Sequence, residues 1–200
     1  MSERRVRDKD KTIQDILSAA KALFSENGLH GTSIRDIENT SGVSKGLILH
    51  HFGSKERLYA AVQDQMILDY VTMMAKVRSD ESDFRRLVAS TILNSFQHFK
   101  RDRAYRRISL WSYLEGQERS SELEERFIRV LVTAMQAGQQ SGLVREDIDA
   151  FLMPFIIRGT IEYWIRKEES IRRIATGAGD PQIGLDDRLI DALSILFLKQ

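Results

Sequence analysis

Apolar residues recur at helical spacing along most of the chain, and the interruptions of that spacing divide it into elements. Ile13, Ile16, Leu17, Ala20, Leu23 and Phe24 fall three and four apart, which puts them on one face of a helix. Thr12 reads as its N-cap and Asn27-Gly28 as its stop. Ser33 and Asp36 have the spacing of a capping box; they open a short second helix with Ile34 and Ile37 inward, ended by Ser41-Gly42. Ser44 begins a third short helix, Lys45 to His51, and Gly53-Ser54-Lys55-Glu56 begins a fourth that runs to near Val77. That fourth helix is apolar on more than one side through Leu58, Val62, Ile67, Tyr70, Val71 and Met74, as a connector between two bodies would be.

The pattern continues in Phe84, Leu87, Val88, Ile92, Phe96 and Phe99, and again in Tyr105, Ile108 and Trp111. Ser121 and Glu124 open a helix with Leu123, Phe127, Leu131 and Ala134 inside, closed at Ser141-Gly142. Asp147 or Asp149 starts the next, with Leu152, Phe155, Ile156, Gly159 and Tyr163 on one face and Pro154 expected to bend it near its start. A glycine-rich loop, Thr176 to Gly184, precedes a last helix carrying Leu185, Leu189, Ala192, Leu193, Leu196 and Phe197. No segment alternates with period two. The expectation is an all-α chain of about nine helices, divided into an N-terminal arm with three helices, 1–54, and a connector helix with a further helical domain, 55–200.

Composition narrows the chemistry. Hydrophobic residues make up 42% and charged residues 30%, with only two prolines, a balance that suits a folded, helix-rich protein. Without cysteine there is no disulfide, thiolate metal site or cysteine nucleophile. Of four histidines, His50 and His51 are adjacent and so point in different directions on a helix, while His30 and His98 lie far off in sequence; no metal or other cofactor is expected. The N-terminus lacks an apolar run and the longest apolar stretch, Phe151 to Ile157, is too short to span a bilayer, so the reading is a cytoplasmic protein with no membrane partner. The net charge is only +1, and any nucleic-acid binding must come from a local basic face.

Two short helices joined by Ser41-Gly42-Val43 and packed on a preceding helix make a helix-turn-helix: the turn is tight, and Gly42 takes a positive φ cheaply. Thr32-Ser33-Ile34-Arg35-Asp36-Ile37, Gly42-Val43-Ser44-Lys45-Gly46 and His50-His51-Phe52-Gly53-Ser54-Lys55-Glu56, with Phe24-x-x-Asn27-Gly28 before them, closely resemble the signature of the TetR family of transcriptional regulators. The resemblance covers residues 12–62. It implies a dimeric regulator that binds a palindromic double-stranded operator and is released by a small apolar or amphipathic effector. It places Ser44, Lys45, Gly46 and Leu47 at the front of the recognition helix, Arg35 on a base or phosphate, and Thr32, Ser33, His50, His51 and Lys55 on phosphates. The chain departs from the family at Leu47, where Thr or Ala is usual, and at Leu49, where Tyr is usual, so one customary phosphate contact is missing.

For the remainder the resemblance implies architecture only: a cavity between the middle helices for the effector, with Phe96, Trp111, Phe155, Arg158, Glu162 and Tyr163 as candidates, and a four-helix interface between the last two helices and their symmetry mates. Leu152, Ile156, Gly159, Leu189, Leu193, Leu196 and Phe197 are the interface candidates. Gly159 fits close approach of a partner helix, or equally crowding within the chain. Two other readings stand beside this one. An architectural or protein-regulating DNA binder would keep the fold without a small ligand. Gly42-Val43-Ser44-Lys45-Gly46 also matches the G-x-S-x-G elbow of serine hydrolases, with His98 as a conceivable base, but that elbow needs a strand before it and none is expected; no catalytic residue is assigned.

Overall fold

Ten α-helices follow one another along the described residues: α1 Ser2–Asn27, α2 Ile34–Ser41, α3 Lys45–Phe52, α4 Lys55–Ser79, α5 Phe84–Arg101, α6 Arg103–Leu114, α7 Glu122–Gln140, α8 Met153–Arg166, α9 Glu168–Gly177 and α10 Leu185–Leu196. The computed structural model describes residues 2–79, 83–119, 121–179 and 184–199, with side chains from residue 9 onward and not those of 77–79. Extended pairing among these residues is limited to one antiparallel bridge, Val144 with Leu198. Two compact units emerge, one of residues 1–69 and 102–121 and the other of 70–101 and 122–200. The chain of α4 therefore passes from the first to the second, and α6, grouped by sequence with the C-terminal body, belongs with the first.

In the first unit α1 packs on α2 and on α6. Ile16, Ala20, Phe24, Ile37, Ile48 and Leu58 are fully buried, so the stripes predicted for the first helices are its core. Phe24 meets Tyr59 edge to face at 4.9 Å, and the Tyr59 hydroxyl pairs with Ser112 of α6 at 2.9 Å. Burial pushes the Tyr59 phenol up against the opposing hydrogen bond to Ser112, which keeps it neutral as this interior requires. Helix α1 starts ten residues before Thr12, which lies inside it rather than at its cap. The segment before Thr12 contains neither Gly nor Pro and is rich in Arg and Lys, good helix formers that give the helix no reason to stop.

In the second unit α5 packs on α8 and α10, and α7 on α8. Ile92, Phe99, Met153, Ile161 and Phe197 are fully buried at its centre. At Gly138 of α7 a Cβ would come within 2.5 Å of Val144 and 2.6 Å of Phe84, so only glycine lets the chain after α7 fold back there. Helix α8 begins at Met153, not at Asp147 or Asp149; Pro154 sits in its first turn, where no intrahelical N–H is needed. The backbone breaks at Lys167 (φ −105°, ψ 11°), giving α9 as a separate helix that the apolar spacing does not announce.

Candidate nucleic-acid interface

Helices α2 and α3 are joined by a turn whose polar groups are all local. Ser33 caps α2, accepting the Asp36 N–H at 3.2 Å while Asp36 accepts the Ser33 N–H at 2.9 Å. Gly42 closes α2 with φ 70° and donates to the Glu38 carbonyl. Ser44 caps α3, its hydroxyl facing the Leu47 N–H at 3.4 Å, and the Glu38 carboxylate accepts the Lys45 N–H at 2.8 Å. The first turn of α3 is thereby capped by Ser44 and tied to α2 through Glu38. Of α3 only Ile48 is fully buried; Leu49, His51 and Phe52 are half-buried, and Ser44, Lys45, Gly46, Leu47 and His50 are exposed. A Cβ at Gly46 would meet nothing; this face of the helix is open for a surface to approach the backbone closely.

The other predicted contact residues divide. Arg35 and Ser33 are exposed on or beside α2, and Lys55 is half-buried at the start of α4, where its ammonium donates to the Thr32 carbonyl at 2.7 Å. Thr32 itself is buried, its hydroxyl donating to the Gly28 carbonyl at 2.8 Å. Its side chain closes the α1–α2 turn and does not face outward, which corrects the expectation of a phosphate contact there. Asp36 is held below the usual carboxylate range by the Ser33 hydroxyl and then the Ser33 N–H, and Glu56 by its own backbone N–H and the Ser54 hydroxyl. Both negative charges are thus spent on caps beside the basic side chains.

Sequence reading missed the ties that hold the end of α1 and the turn after it to α6 within this unit. Glu115 accepts the Leu29 N–H at 2.9 Å and the His30 N–H at 3.0 Å, clamping the turn between α1 and α2. Arg107 donates to the carbonyl of Glu26 at 3.0 Å and that of Ser25, satisfying carbonyls at the end of α1 that have no helical partner. Lys21 pairs with Asp102 at 2.8 Å. No local pattern marks Glu115, because its partners lie 85 and 86 residues away in the chain.

The second unit contains a small cavity of about 50 Å3 between α4, α5, α7 and α8, walled by Tyr70, Phe99, Phe127, Leu131, Ile157 and Arg158, among others. Of the six effector candidates, Arg158 lines it and Glu162 pairs with Arg158. Phe96 is buried in the core, Phe155 and Tyr163 face outward, and Trp111 belongs to the first unit, beside Gly28. The dimer candidates also divide: Leu152, Ile156, Gly159 and Leu196 are exposed and Leu189 is half-buried, whereas Leu193 and Phe197 are buried within the unit. Both buried side chains serve the chain's own core and are not at its surface. A Cβ at Gly159 would meet open space, so crowding inside the chain does not account for that glycine. The Gly42-Val43-Ser44-Lys45-Gly46 segment joins helix to helix, without the strand that a nucleophile elbow needs. Among the described residues no three His, Asp or Glu side chains gather as a metal site, and no helix is long and apolar enough to cross a membrane.

The family model described as bacterial regulatory proteins, tetR family, matches residues 16–62. The HTH-type transcriptional repressor KstR2 of Rhodococcus jostii is 27% identical over 153 residues, 73% of this chain and 74% of that protein. The HTH-type transcriptional repressor NicS of Pseudomonas putida is 28% identical over 158 residues, 74% of each. Among solved structures, the putative transcriptional regulator SCO4942 of Streptomyces coelicolor superposes with a TM-score of 0.76 at 24% identity, covering 93% of this chain and 98% of that one, a likeness of fold.

Proposed function

We propose that the chain, whose residues 16–62 match the tetR family of bacterial regulatory proteins, is a repressor of that kind that reads an inverted-repeat operator with α3 and lets go of it when a small molecule fills the cavity of its second unit. The observation that carries the reading is the surface of α3: Ile48 is its one fully buried side chain, and its capped front of Ser44, Lys45, Gly46 and Leu47 is exposed. Lys45 supplies a donor for a guanine edge, the Gly46 backbone allows close approach, and Leu47 offers an apolar surface to a thymine methyl. Ser33, Arg35, His50, His51 and Lys55 anchor the unit on phosphates; Lys55 keeps two donors after its bond to Thr32. The repressor names of KstR2 and NicS support the sign of the response.

The exposed apolar face of α8 (Leu152, Phe155, Ile156, Tyr163) and of α10 (Ile195, Leu196) supports a homodimer, since so many apolar side chains in two neighbouring stretches are seldom left to water. A symmetric dimer carries two recognition helices, which is why its operator is an inverted repeat. Ligand and DNA are coupled through the chain itself, along α4 and across the junctions at 101–102 and 121–122 where it passes between units. Such coupling amounts to about 1–3 kcal/mol and is reciprocal.

The test is selection of bound duplexes from random sequence by the purified protein. Enrichment of an inverted repeat is expected, and a pool that gains no shared sequence after several rounds refutes sequence-specific binding.

A further inference from the structure

The backbone donors in the first turn of α3 are not alike. The Lys45 N–H is taken by the Glu38 carboxylate of α2 at 2.8 Å through Oε1, and the Leu47 N–H faces the Ser44 hydroxyl at 3.4 Å. The Gly46 N–H between them has no hydrogen-bond partner among the described residues, and a Cβ on Gly46 would meet nothing. One donor therefore lies open at the front of the helix, beside a carboxylate.

Open amides at a helix start attract anions, because unpaired N–H groups there add to the positive end of the helix dipole. On a duplex the anions at hand are phosphates. Glu38 sets a negative charge against this same turn, and among the described residues it makes no ion pair. The other carboxylates at helix starts in this unit differ: Asp36 has Arg35 beside it, and Glu56 has Lys55 and His30. Glu38 is also half-buried, so salt screens it less than a fully exposed charge. The Lys45 ammonium swings on a flexible stem, whereas the carboxylate is bonded to the turn itself. Its charge repels a phosphate but not the neutral O6, N7 or O4 atoms of base edges.

Resting on the reading of α3 as the recognition helix, we propose that Glu38 is its positioning and specificity-determining residue: the carboxylate fixes the first turn through the Lys45 N–H and, by keeping phosphates away, reserves the Gly46 N–H for an uncharged acceptor on a base. With α3 seated in a major groove about 12 Å wide, the carboxylate lies between the two phosphate walls and is repelled little. With α3 lying across the backbone, it is held against a phosphate and repelled strongly. Glu38 thus acts less against the right sequence than against every wrong one. Helical spacing gives no sign of this role, because the partner of Glu38 lies seven residues away across the turn.

The experiment measures binding of the full-length original chain, Glu38→Gln and Glu38→Ala to a selected duplex and to a scrambled one of the same length, over a range of salt. Glutamine keeps an oxygen for the Lys45 N–H and removes the charge. Glu38→Gln is expected to bind the scrambled duplex about fivefold more tightly at low salt, the size of one charge at a helix terminus, with little change on the selected duplex. The gain should fade as salt rises. Glu38→Ala is expected to gain on the scrambled duplex in the same way and also to lose about fivefold on the selected one, as removal of a helix-start acceptor does; glutamine rescues that loss. Melting temperatures show that each variant is folded, and Glu38→Gln decides alone if the alanine variant is not. Unchanged binding of Glu38→Gln to scrambled DNA overturns the proposal, since a carboxylate that only caps the helix gives that result. An equal gain on both duplexes overturns it too, because the charge then repels all DNA without selecting. If no sequence can be selected, the recognition reading of α3 fails, and the scrambled duplex still decides whether Glu38 holds phosphates off. Absence of binding by the original chain and Glu38→Gln to any duplex at low salt overturns both.

Discussion

Gly28 has φ +71°, and a Cβ there would come within 2.6 Å of the Glu115 carboxylate and 2.9 Å of Trp111. Alanine strains the backbone and pushes away the carboxylate that caps Leu29 and His30. Gly28→Ala is expected to cost about 1–3 kcal/mol, read from the urea midpoint; an unchanged midpoint contradicts the role given to Glu115. Ser33→Ala removes the α2 cap and is expected to cost about 1 kcal/mol in the same assay. The two residues differ in how legible they were. Ser33 and Asp36 are three apart, so their spacing alone specifies the cap, and Gly42 is similarly local. Glu115 was invisible because its bonding is long-range. Thr32 matched a family position but is drawn inward by the Gly28 carbonyl. Phe155, Tyr163 and Trp111 share the periodicity of core residues, and periodicity tells which face of a helix is apolar without telling what meets it.

Helix α10 is held to α5, α8 and α9 by a cluster of opposite charges. Lys100 of α5 donates to Asp186 of α10 at 2.5 Å and to Glu168 of α9 at 3.1 Å. Trp164 of α8 donates to Asp186 at 2.9 Å, and Arg172 of α9 to Glu168 at 2.8 Å. Burial pushes Asp186 up, but the bonds from Lys100 and Trp164 outweigh it and hold it below its usual 3.8. Glu168 is held below 4.5, chiefly by Arg172, and Lys100 above 10.5, chiefly by Asp186. Depressed carboxylates contribute stability above their unfolded values and lose it as pH falls through the folded ones; the raised lysine contributes below its unfolded value and loses it as pH rises through its folded one. The cluster is therefore complete between about pH 4.5 and 10.5. Asp186→Asn should lower the melting temperature at neutral pH and flatten its fall below pH 3.8; an acid limb as steep as the original contradicts this. None of this cluster was read from sequence, where the break between α8 and α9 at Lys167 carries no Gly or Pro signal. The all-helical class and most helix starts were legible because caps and apolar stripes are local features.

For the whole molecule, the proposed dimer rests on the exposed apolar faces of α8 and α10. Ile156 is 37% exposed on α8, so Ile156→Lys should leave the fold intact while placing a charge in the interface. Sedimentation at micromolar concentration should then show a monomer where the original chain is a dimer, with weaker binding to the selected duplex; a dimer of unchanged strength removes α8 from the interface. Here sequence pattern and structure part ways for Leu193 and Phe197, which continue the α10 stripe but are consumed by the chain's own core.

If α3 reads sequence while the residues around it hold phosphates, Lys45→Ala binds a selected duplex and a scrambled one differently, which binding isotherms on both duplexes measure. Lys45 is exposed, and its backbone rather than its side chain makes the bond to Glu38, so the variant keeps the helix in place. A loss of about 1–3 kcal/mol on the selected duplex, with little change on the scrambled one, is predicted for a base contact. Equal losses on both duplexes would contradict the account, because Lys45 would then be only another phosphate anchor.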